Sequence, residues 1–207
     1  MPIRKINFAL EEFYHIYNRG CNKQEIFHDK QDYQRFVDLL YMSNRKEKFN
    51  FSDFPETRSM YELSNENPLV AIGAYTSMPN HFHILLKPLV KNGVSLFMHK
   101  LCIAYATYFN QKYKRTGTLF EGRFKAKHID NDRYLKYVFS YIHLNILKLT
   151  PNIFGYTYSS LLDYCGEIRP QNKIINKKMF PEYFPTKKDF LEEINQWISY
   201  KDSLDPV

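Results

Sequence analysis

The sequence lacks several features that mark whole classes of protein. It has no run of 18 apolar residues, so we expect no membrane-spanning helix. Its three cysteines, Cys21, Cys102 and Cys165, are isolated, which argues against a disulfide framework and against a cysteine-rich metal site. No long apolar segment follows Met1, so no secretory signal is expected, and we predict a cytoplasmic location.

Several familiar catalytic motifs are also missing. The sequence contains seven glycines, and they form no glycine-rich phosphate loop. No serine or cysteine stands in a nucleophile motif, and no set of aspartates and glutamates resembles that of a two-metal nuclease. Any chemistry that this chain performs must therefore use other side chains.

The composition is that of a folded domain with an affinity for polyanions. Of 207 residues, 44% are hydrophobic and 17% aromatic, and the net charge is +7. Residues 95–148 hold ten basic and three acidic residues, so this quarter of the chain carries the whole excess. Concentrated positive charge among aromatic residues is typical of nucleic-acid binding, although an ordinary solvated basic face is the alternative.

Four segments have the alternation and the β-branched or aromatic content of strands. They are 11–19, 70–77, 81–86 and 124–129. A turn signal, Met78-Pro79-Asn80, joins the second of these strands to the third and predicts a hairpin.

Three helices are predicted between these strands and after the last. Asp29 is expected to cap the first helix and Ser95 the second. The second helix is predicted to run out near residues 112–116, with Gly117 as its terminator. Asp130 or Asn131 would cap the third, from about 131 to 149. The resulting order of strands and helices matches, in its first six elements, the βαββαβ ferredoxin-like arrangement, an α+β fold with an antiparallel sheet.

The remaining segments suggest additions to this core. Residues 44–68 are polar and read as a long loop or an insertion. We divide the chain into a core, 1–150, and a C-terminal extension, 151–207, that packs on it. In the extension, Thr186 and Asp189 resemble a capping box, and four residues form a docking stripe. That stripe is Phe190, Ile194, Trp197 and Ile198.

The sharpest chemical feature is His81-Phe82-His83 in the third strand. Residues two apart in a strand point to the same face, so both imidazoles project together while Phe82 faces the helices. Two imidazoles on a rigid sheet could hold one metal ion. Two histidines that make ordinary hydrogen bonds are the alternative, because His-x-His alone is common. The other histidines show no such pairing and are predicted to be structural or exposed; they are His15, His28, His99, His128 and His143.

The third helix has an apolar stripe for the core and a polar aromatic stripe beside it. The apolar stripe is Leu135, Val138, Phe139, Ile142 and Ile146, and the second is Tyr134, Tyr137, Tyr141, Asn145 and Lys148. Tyr141 and Asn145 are one turn apart. The Asn145 amide oxygen could complete a metal site, and the Tyr141 phenol could attack a bound group. Tyrosines that merely pack their rings are the alternative.

Four stretches together resemble the single-tyrosine HUH transposases of the insertion-sequence type, and among them the REP-associated tyrosine transposases. The stretches are EEFYHIYNRGCNKQEIF, YTSMPNHFHILLKP, RTGTLFEGRFKAKHIDNDRYLKYVFSYIHLN and YTYSSLLDY, within residues 11–165. One departure is Ile146, where members of the family usually have proline; it suggests a longer third helix here.

The resemblance implies a ferredoxin-like catalytic core, with the third helix added, that cleaves and rejoins single-stranded DNA beside a hairpin or palindromic repeat. His81, His83 and Asn145 would be the metal ligands for Mg²⁺ or Mn²⁺, although imidazole ligands by themselves favour Mn²⁺ or zinc. Tyr141 would be the nucleophile that forms a 5′-phosphotyrosine. Relatives act as monomers or as homodimers that exchange the tyrosine helix, and both states stay open.

Basic residues of the charged segment, and one at the end of the first strand, are the candidate DNA contacts. They are Arg19, Lys100, Lys112, Lys114, Arg115, Arg123, Lys125, Lys127, Lys136 and Lys148. Two other functions remain in view: a module that binds single-stranded nucleic acid without catalysis, and a domesticated nickase that is no longer mobile.

Overall fold

The computed structural model describes residues 7–47, 49 and 59–204. Its main elements follow the predicted order: β1 Phe13–Arg19, α1 Lys30–Met42, β2 Val70–Met78, β3 His81–Pro88, α2 Gly93–Lys112, β4 Lys125–Ile129 and α3 Asp132–Leu144. Two helices follow in the extension, α4 Leu161–Tyr164 and α5 Lys187–Leu204. The α+β class and the βαββαβ order are confirmed.

The four strands form one antiparallel sheet in the order β2-β3-β1-β4. One face packs against α1 and α2. Alternate residues of β3, Phe82, Ile84 and Leu86, are fully buried there, together with Phe36 of α1 and Leu101 of α2. The other residues of the strands, including His81 and His83, therefore lie on the opposite face.

Helix α3 lies across part of that second face, in contact with β2 and β3. The predicted apolar stripe of α3 is buried, and Leu85 of β3 packs against it. Phe190 and Ile194 of α5 complete this second core. Because α3 covers only part of the face, the end of the sheet at His81 stays accessible.

Helices α1 and α3 begin as expected. The Asp29 carboxylate accepts from the backbone N–H of Asp32, and the Asp32 carboxylate accepts from that of Asp29, so the two residues form a capping box. Asn131, one of the two predicted caps, accepts from the N–H of Tyr134 at 2.8 Å.

Helix α2 ends at Lys112, within the predicted region, but its predicted start and the residue predicted to end it are wrong. The helix begins at Gly93 rather than after Ser95, because Asn92 adopts a left-handed φ of 61°. A Cβ on Gly93 would lie 2.3 Å from the Leu69 carbonyl oxygen, so this entry requires glycine. The helix ends before Gly117, because Lys114 takes the left-handed position.

The hydrogen bonds after α2 explain this end. The N–H of Arg115 donates to the Asn110 carbonyl at 2.9 Å, and the N–H of Lys114 donates to that of Gln111 at 3.4 Å. These two bonds form a Schellman motif that satisfies the last carbonyls of the helix. Lys114 therefore has the helix-ending role that the sequence analysis assigned to Gly117.

The α-helical part of α3 also ends earlier than predicted. It stops at Leu144, and Asn145–Lys148 continue as a 3-10 turn. Ile146 is fully buried in the second core. Its side chain therefore anchors the turn, and the expectation of a longer α-helix is wrong.

The extension covers the free edge of the sheet. Ser159 and Ile175 form bridges to Thr76 and Ile72 of β2, which protects an edge that would otherwise be open to pairing. Thr186 and Asp189 exchange hydrogen bonds at the start of α5, as predicted.

The division at residue 150 stays a prediction, and the 44–68 insertion falls partly outside the described residues. Over the described part of the chain, no helix is long and apolar enough to cross a membrane.

Candidate active site

The two histidines of β3 open into one cavity. It has a volume of about 340 Å³ at the end of the sheet where β1 and β3 meet the turn before β3. The rings of His81 and His83 are 5.0 Å apart between centroids. The lining comprises Tyr17, Asn18, Arg19, Lys23, Asn80, His81, His83, Lys125 and Tyr141. The predicted projection of both imidazoles to one face is therefore correct.

Asn80 fixes the orientation of the His81 ring. Its amide nitrogen donates to the Lys23 carbonyl at 3.1 Å, so its amide oxygen is the atom that lies 2.6 Å from His81 Nδ1. An amide oxygen only accepts, so His81 Nδ1 carries the hydrogen. The lone pair of His81 is consequently on Nε2.

His15 contacts the Nδ1 atom of His83, as Asn80 contacts that of His81. Its Nε2 lies 2.8 Å from His83 Nδ1, and both side chains are only 7% exposed. When His83 Nδ1 donates this bond, Nε2 of His83 keeps its lone pair. The sequence analysis placed His15 outside the site. The sequence signal was incomplete: alternation along β1 places His15, Tyr17 and Arg19 on one face, but it does not show which residues of β3 they contact.

Both candidate ligands are held in the neutral form. Burial, with smaller contributions from Lys148 and Arg19, lowers the pKa of His81 to about 4. Burial also lowers the pKa of His83 well below its ordinary value, with help from His15, His81 and Lys148. A neutral imidazole is the form that binds a metal ion, so the site is ready for one at neutral pH.

Tyr141 reaches this cavity from α3. Its ring meets that of His83 edge to face at 5.6 Å between centroids, and that of His15 at 6.0 Å. Along the same row of α3, Tyr137 lies next to Tyr141, and Tyr134 lies beyond Tyr137. Among the three tyrosines, only Tyr141 lines the cavity with His81 and His83. One chain supplies the phenol and both imidazoles.

Asn145 is buried one turn after Tyr141, and its amide is already engaged. The amide nitrogen donates to the Tyr141 carbonyl at 3.0 Å, which turns the amide oxygen toward Lys148, whose Nζ donates to it at 2.9 Å. Lys148 Nζ also lies 5.9 Å from the centre of the Tyr141 ring. A metal ion on Asn145 would have to share or displace this ammonium group.

The donors that these residues offer to a divalent metal ion are two imidazoles and one amide oxygen. In the described part of the chain, no three residues among histidine, cysteine, aspartate and glutamate are grouped to hold a metal. His81 and His83 line the cavity, whereas Asn145 is not part of its lining, so the predicted role of Asn145 as the third ligand stays a prediction. A histidine that binds a metal usually donates its other ring N–H to a neighbouring group, and Asn80 and His15 are placed to accept such bonds.

Some predicted DNA contacts surround this cavity. Arg19 and Lys125 line the cavity. Lys148 lies beside Tyr141. Lys127 is on the same sheet face, opposite His15. Arg19 is ion-paired with Glu121. Lys23, which the sequence analysis did not select, joins the lining.

Other predicted contacts lie elsewhere and have partners within the chain. Lys100 donates to the carbonyls of residues 45–47, and Lys112 is ion-paired with Asp29 and Asp32. Lys136 is ion-paired with Glu193. Lys114, Arg115 and Arg123 follow α2, and their predicted role in DNA binding stays a prediction.

Comparison with known proteins bears on the family and the fold of this chain. A family model described as IS200-like transposase matches residues 12–145, which include both histidines, Tyr141 and Asn145. A solved structure titled "Structure of the REP associates tyrosine transposase bound to a REP hairpin" superposes with a TM-score of 0.55 at 11% identity. The match covers 87% of this chain and 89% of that one, so the two share a fold. No curated protein matches the sequence. Since the family model spans most of the chain, this protein belongs to the family of IS200-like transposases.

Proposed function

We propose that this transposase cleaves and rejoins single-stranded DNA beside a hairpin, with Tyr141 as the nucleophile. Membership of the family indicates DNA cleavage and transfer in general. The observation that supports the specific mechanism is the contact of Tyr141 with His83 inside the cavity that His81 also lines. The hairpin is suggested by the DNA named for the structural neighbour.

In this mechanism the Tyr141 oxygen attacks phosphorus in line, and the bond to the 3′ oxygen breaks. The phenolic proton passes to water, and the departing 3′ oxygen takes up a proton to become a hydroxyl. The products are a 5′-phosphotyrosine and a free 3′-hydroxyl end. Attack by another 3′-hydroxyl on the phosphotyrosine reverses these steps and joins DNA without an external energy source.

His81, His83 and Asn145 would hold a divalent cation, Mg²⁺ or Mn²⁺. When bound, the cation would withdraw negative charge from a non-bridging oxygen of the scissile phosphate. Asn80 and His15 would keep the two imidazole Nε2 atoms directed at it. The Lys148 ammonium, which lies near the Tyr141 ring, would add positive charge beside the phosphate that Tyr141 attacks.

A labelling experiment tests this proposal. The substrate is a pool of single strands in which a hairpin is flanked by randomised arms, with Mn²⁺ present. Because the protein would remain on the 5′ phosphate, strands labelled at the 3′ end should give a covalent band on a denaturing gel. Strands labelled at the 5′ end should give only a shorter free product.

Variants assign the roles in the same assay. Tyr141→Phe should abolish the covalent band and keep DNA binding, whereas the matched variants Tyr134→Phe and Tyr137→Phe should retain the band. His81→Ala together with His83→Ala should remove metal-dependent cleavage. A wild-type protein that binds the pool without any covalent product would instead be a non-catalytic binding module.

A further inference from the structure

A row of aromatic rings leads away from the cavity along the outer side of α3. The rings of Tyr134 and Tyr137 are 6.1 Å apart between centroids and inclined by 16°, and those of Tyr137 and Tyr141 are 6.0 Å apart and inclined by 19°. Residues three and four apart lie along one side of a helix. The row therefore starts at the nucleophile and runs toward the beginning of α3.

The row faces an open groove between α3 and α5. This groove has a volume of about 600 Å³ and is lined by Asn131, Asp132, Arg133, Tyr134, Lys136, Tyr137, Glu193 and Trp197. Tyr137 is 42% exposed. The Trp197 indole meets its ring at 5.5 Å. A ring that served only to dock α5 would be covered, as the Phe190 ring is.

The charges around the groove suit a phosphate backbone. Lys127 lies with its Nζ 4.6 Å from the centre of the Tyr134 ring, and Arg133 is exposed at the rim. Of the two carboxylates in the lining, Glu193 is occupied by Lys136 and by the indole N–H of Trp197. With Lys136 and Glu193 paired, Arg133 at the rim and Lys127 over Tyr134 are the cations beside these rings.

We propose that Tyr134, Tyr137 and Trp197 form a stacking track for unpaired bases of the DNA strand held at Tyr141. The proposal rests on the proposed function, because it takes Tyr141 as the point at which that strand is held. Every base has a π face, so such a track accepts any sequence while Lys127 and Arg133 attract the phosphates. Duplex DNA, whose bases are already stacked on each other, would gain nothing from it.

Trp197 makes the track directly observable, because it is the only tryptophan in the chain. The probe is oligodeoxythymidylate, added to the full-length protein in EDTA so that no metal-dependent cleavage occurs. We expect the single strand to quench the Trp197 emission and a duplex of the same length to leave it unchanged. Equal quenching by the duplex, or no quenching by the single strand, would overturn the proposal.

Substitutions test the same contact through affinity. Tyr137→Ala should weaken binding of the single strand about tenfold, the usual loss for one stacked base, whereas Tyr137→Phe, which keeps the ring face, should bind as the wild type does. Phe154 is an aromatic residue outside the track with a similar exposure of 43%. Phe154→Ala should therefore leave the affinity unchanged, and equal effects of the two alanine variants would contradict the track.

The covalent assay separates this proposal from the proposed function. If single-stranded DNA quenches the Trp197 emission but the protein forms no covalent product, the result supports the track and refutes the nuclease. If the protein forms a covalent product but single-stranded DNA leaves the Trp197 emission unchanged, the result supports the nuclease and refutes the track.

Discussion

The contact between His15 and His83 gives a quantitative prediction. Replacing His15 by Phe keeps a ring of similar size in the buried position but removes the nitrogen that lies 2.8 Å from His83 Nδ1. A buried N–H that loses its acceptor costs about 1–3 kcal/mol. His83 would therefore turn, or move its hydrogen to Nε2, and either change withdraws the lone pair from the metal.

The expected consequence is weaker metal binding. Loss of the group that hydrogen-bonds a metal-binding histidine typically reduces metal affinity about 10–100-fold, which corresponds to about 1.4–2.8 kcal/mol. Titration calorimetry with Mn²⁺, without DNA, measures this affinity for His15→Phe and for the wild type. Nitrogen-15 spectra of the histidine rings report which His83 nitrogen carries the hydrogen in each protein.

His99→Gln is the control, because His99 is exposed on α2, on the far side of the sheet. It should bind Mn²⁺ as tightly as the wild type. An affinity of His15→Phe within twofold of the wild type, with an unchanged His83 tautomer, would refute the reasoning. His15 would then be an ordinary buried histidine.

Three further predictions follow from other contacts. Lys148→Met removes the ammonium group that occupies the Asn145 amide oxygen, so Mn²⁺ should bind roughly 3–10-fold more tightly by calorimetry while covalent product decreases; weaker binding would contradict this competition. A mixture of Tyr141→Phe and His83→Ala proteins should form no covalent product, because one chain supplies both groups; restored activity would indicate exchange of α3 between subunits. Burial lowers the pKa of His143 to about 3, so its contribution to stability is complete above its unfolded pKa of about 6.5 and decreases as the pH falls toward 3, by about 1 kcal/mol per pH unit. Urea unfolding at neutral and acidic pH should therefore show a smaller loss for His143→Gln than for the wild type, and equal losses would count against this origin.

Local patterns in the sequence were sufficient for the sheet, the helix order and the meeting of His81, His83 and Tyr141. Each depends on spacing within one element or on the order of elements. His15 could not be assigned in this way, because its contact depends on the register between β1 and β3, in which Tyr17 faces His83. Two strands must be aligned before that neighbour is known.

The charge count leaves a related question open, and the predicted DNA contacts of Lys100 and Lys112 stay predictions. Lys100 and Lys112 belong to the basic segment, yet in the fold one satisfies backbone carbonyls and the other lies against Asp29 and Asp32. Composition gives the number of charged residues but not the groups that they contact in the fold. The residues that start and end α2 were not predicted, because Asn92 and Lys114 adopt left-handed conformations, whereas the sequence indicated a Ser95 cap and a Gly117 terminator.

The central claim is that Tyr141 becomes joined to DNA. It is tested most directly by trapping the covalent product, trimming the DNA with nuclease and digesting the protein for mass spectrometry. The account predicts that the remaining nucleotide lies on the peptide that contains Tyr141, through a 5′ phosphate. A nucleotide on the peptide of another residue, or a product that forms equally well with Tyr141→Phe, would contradict it.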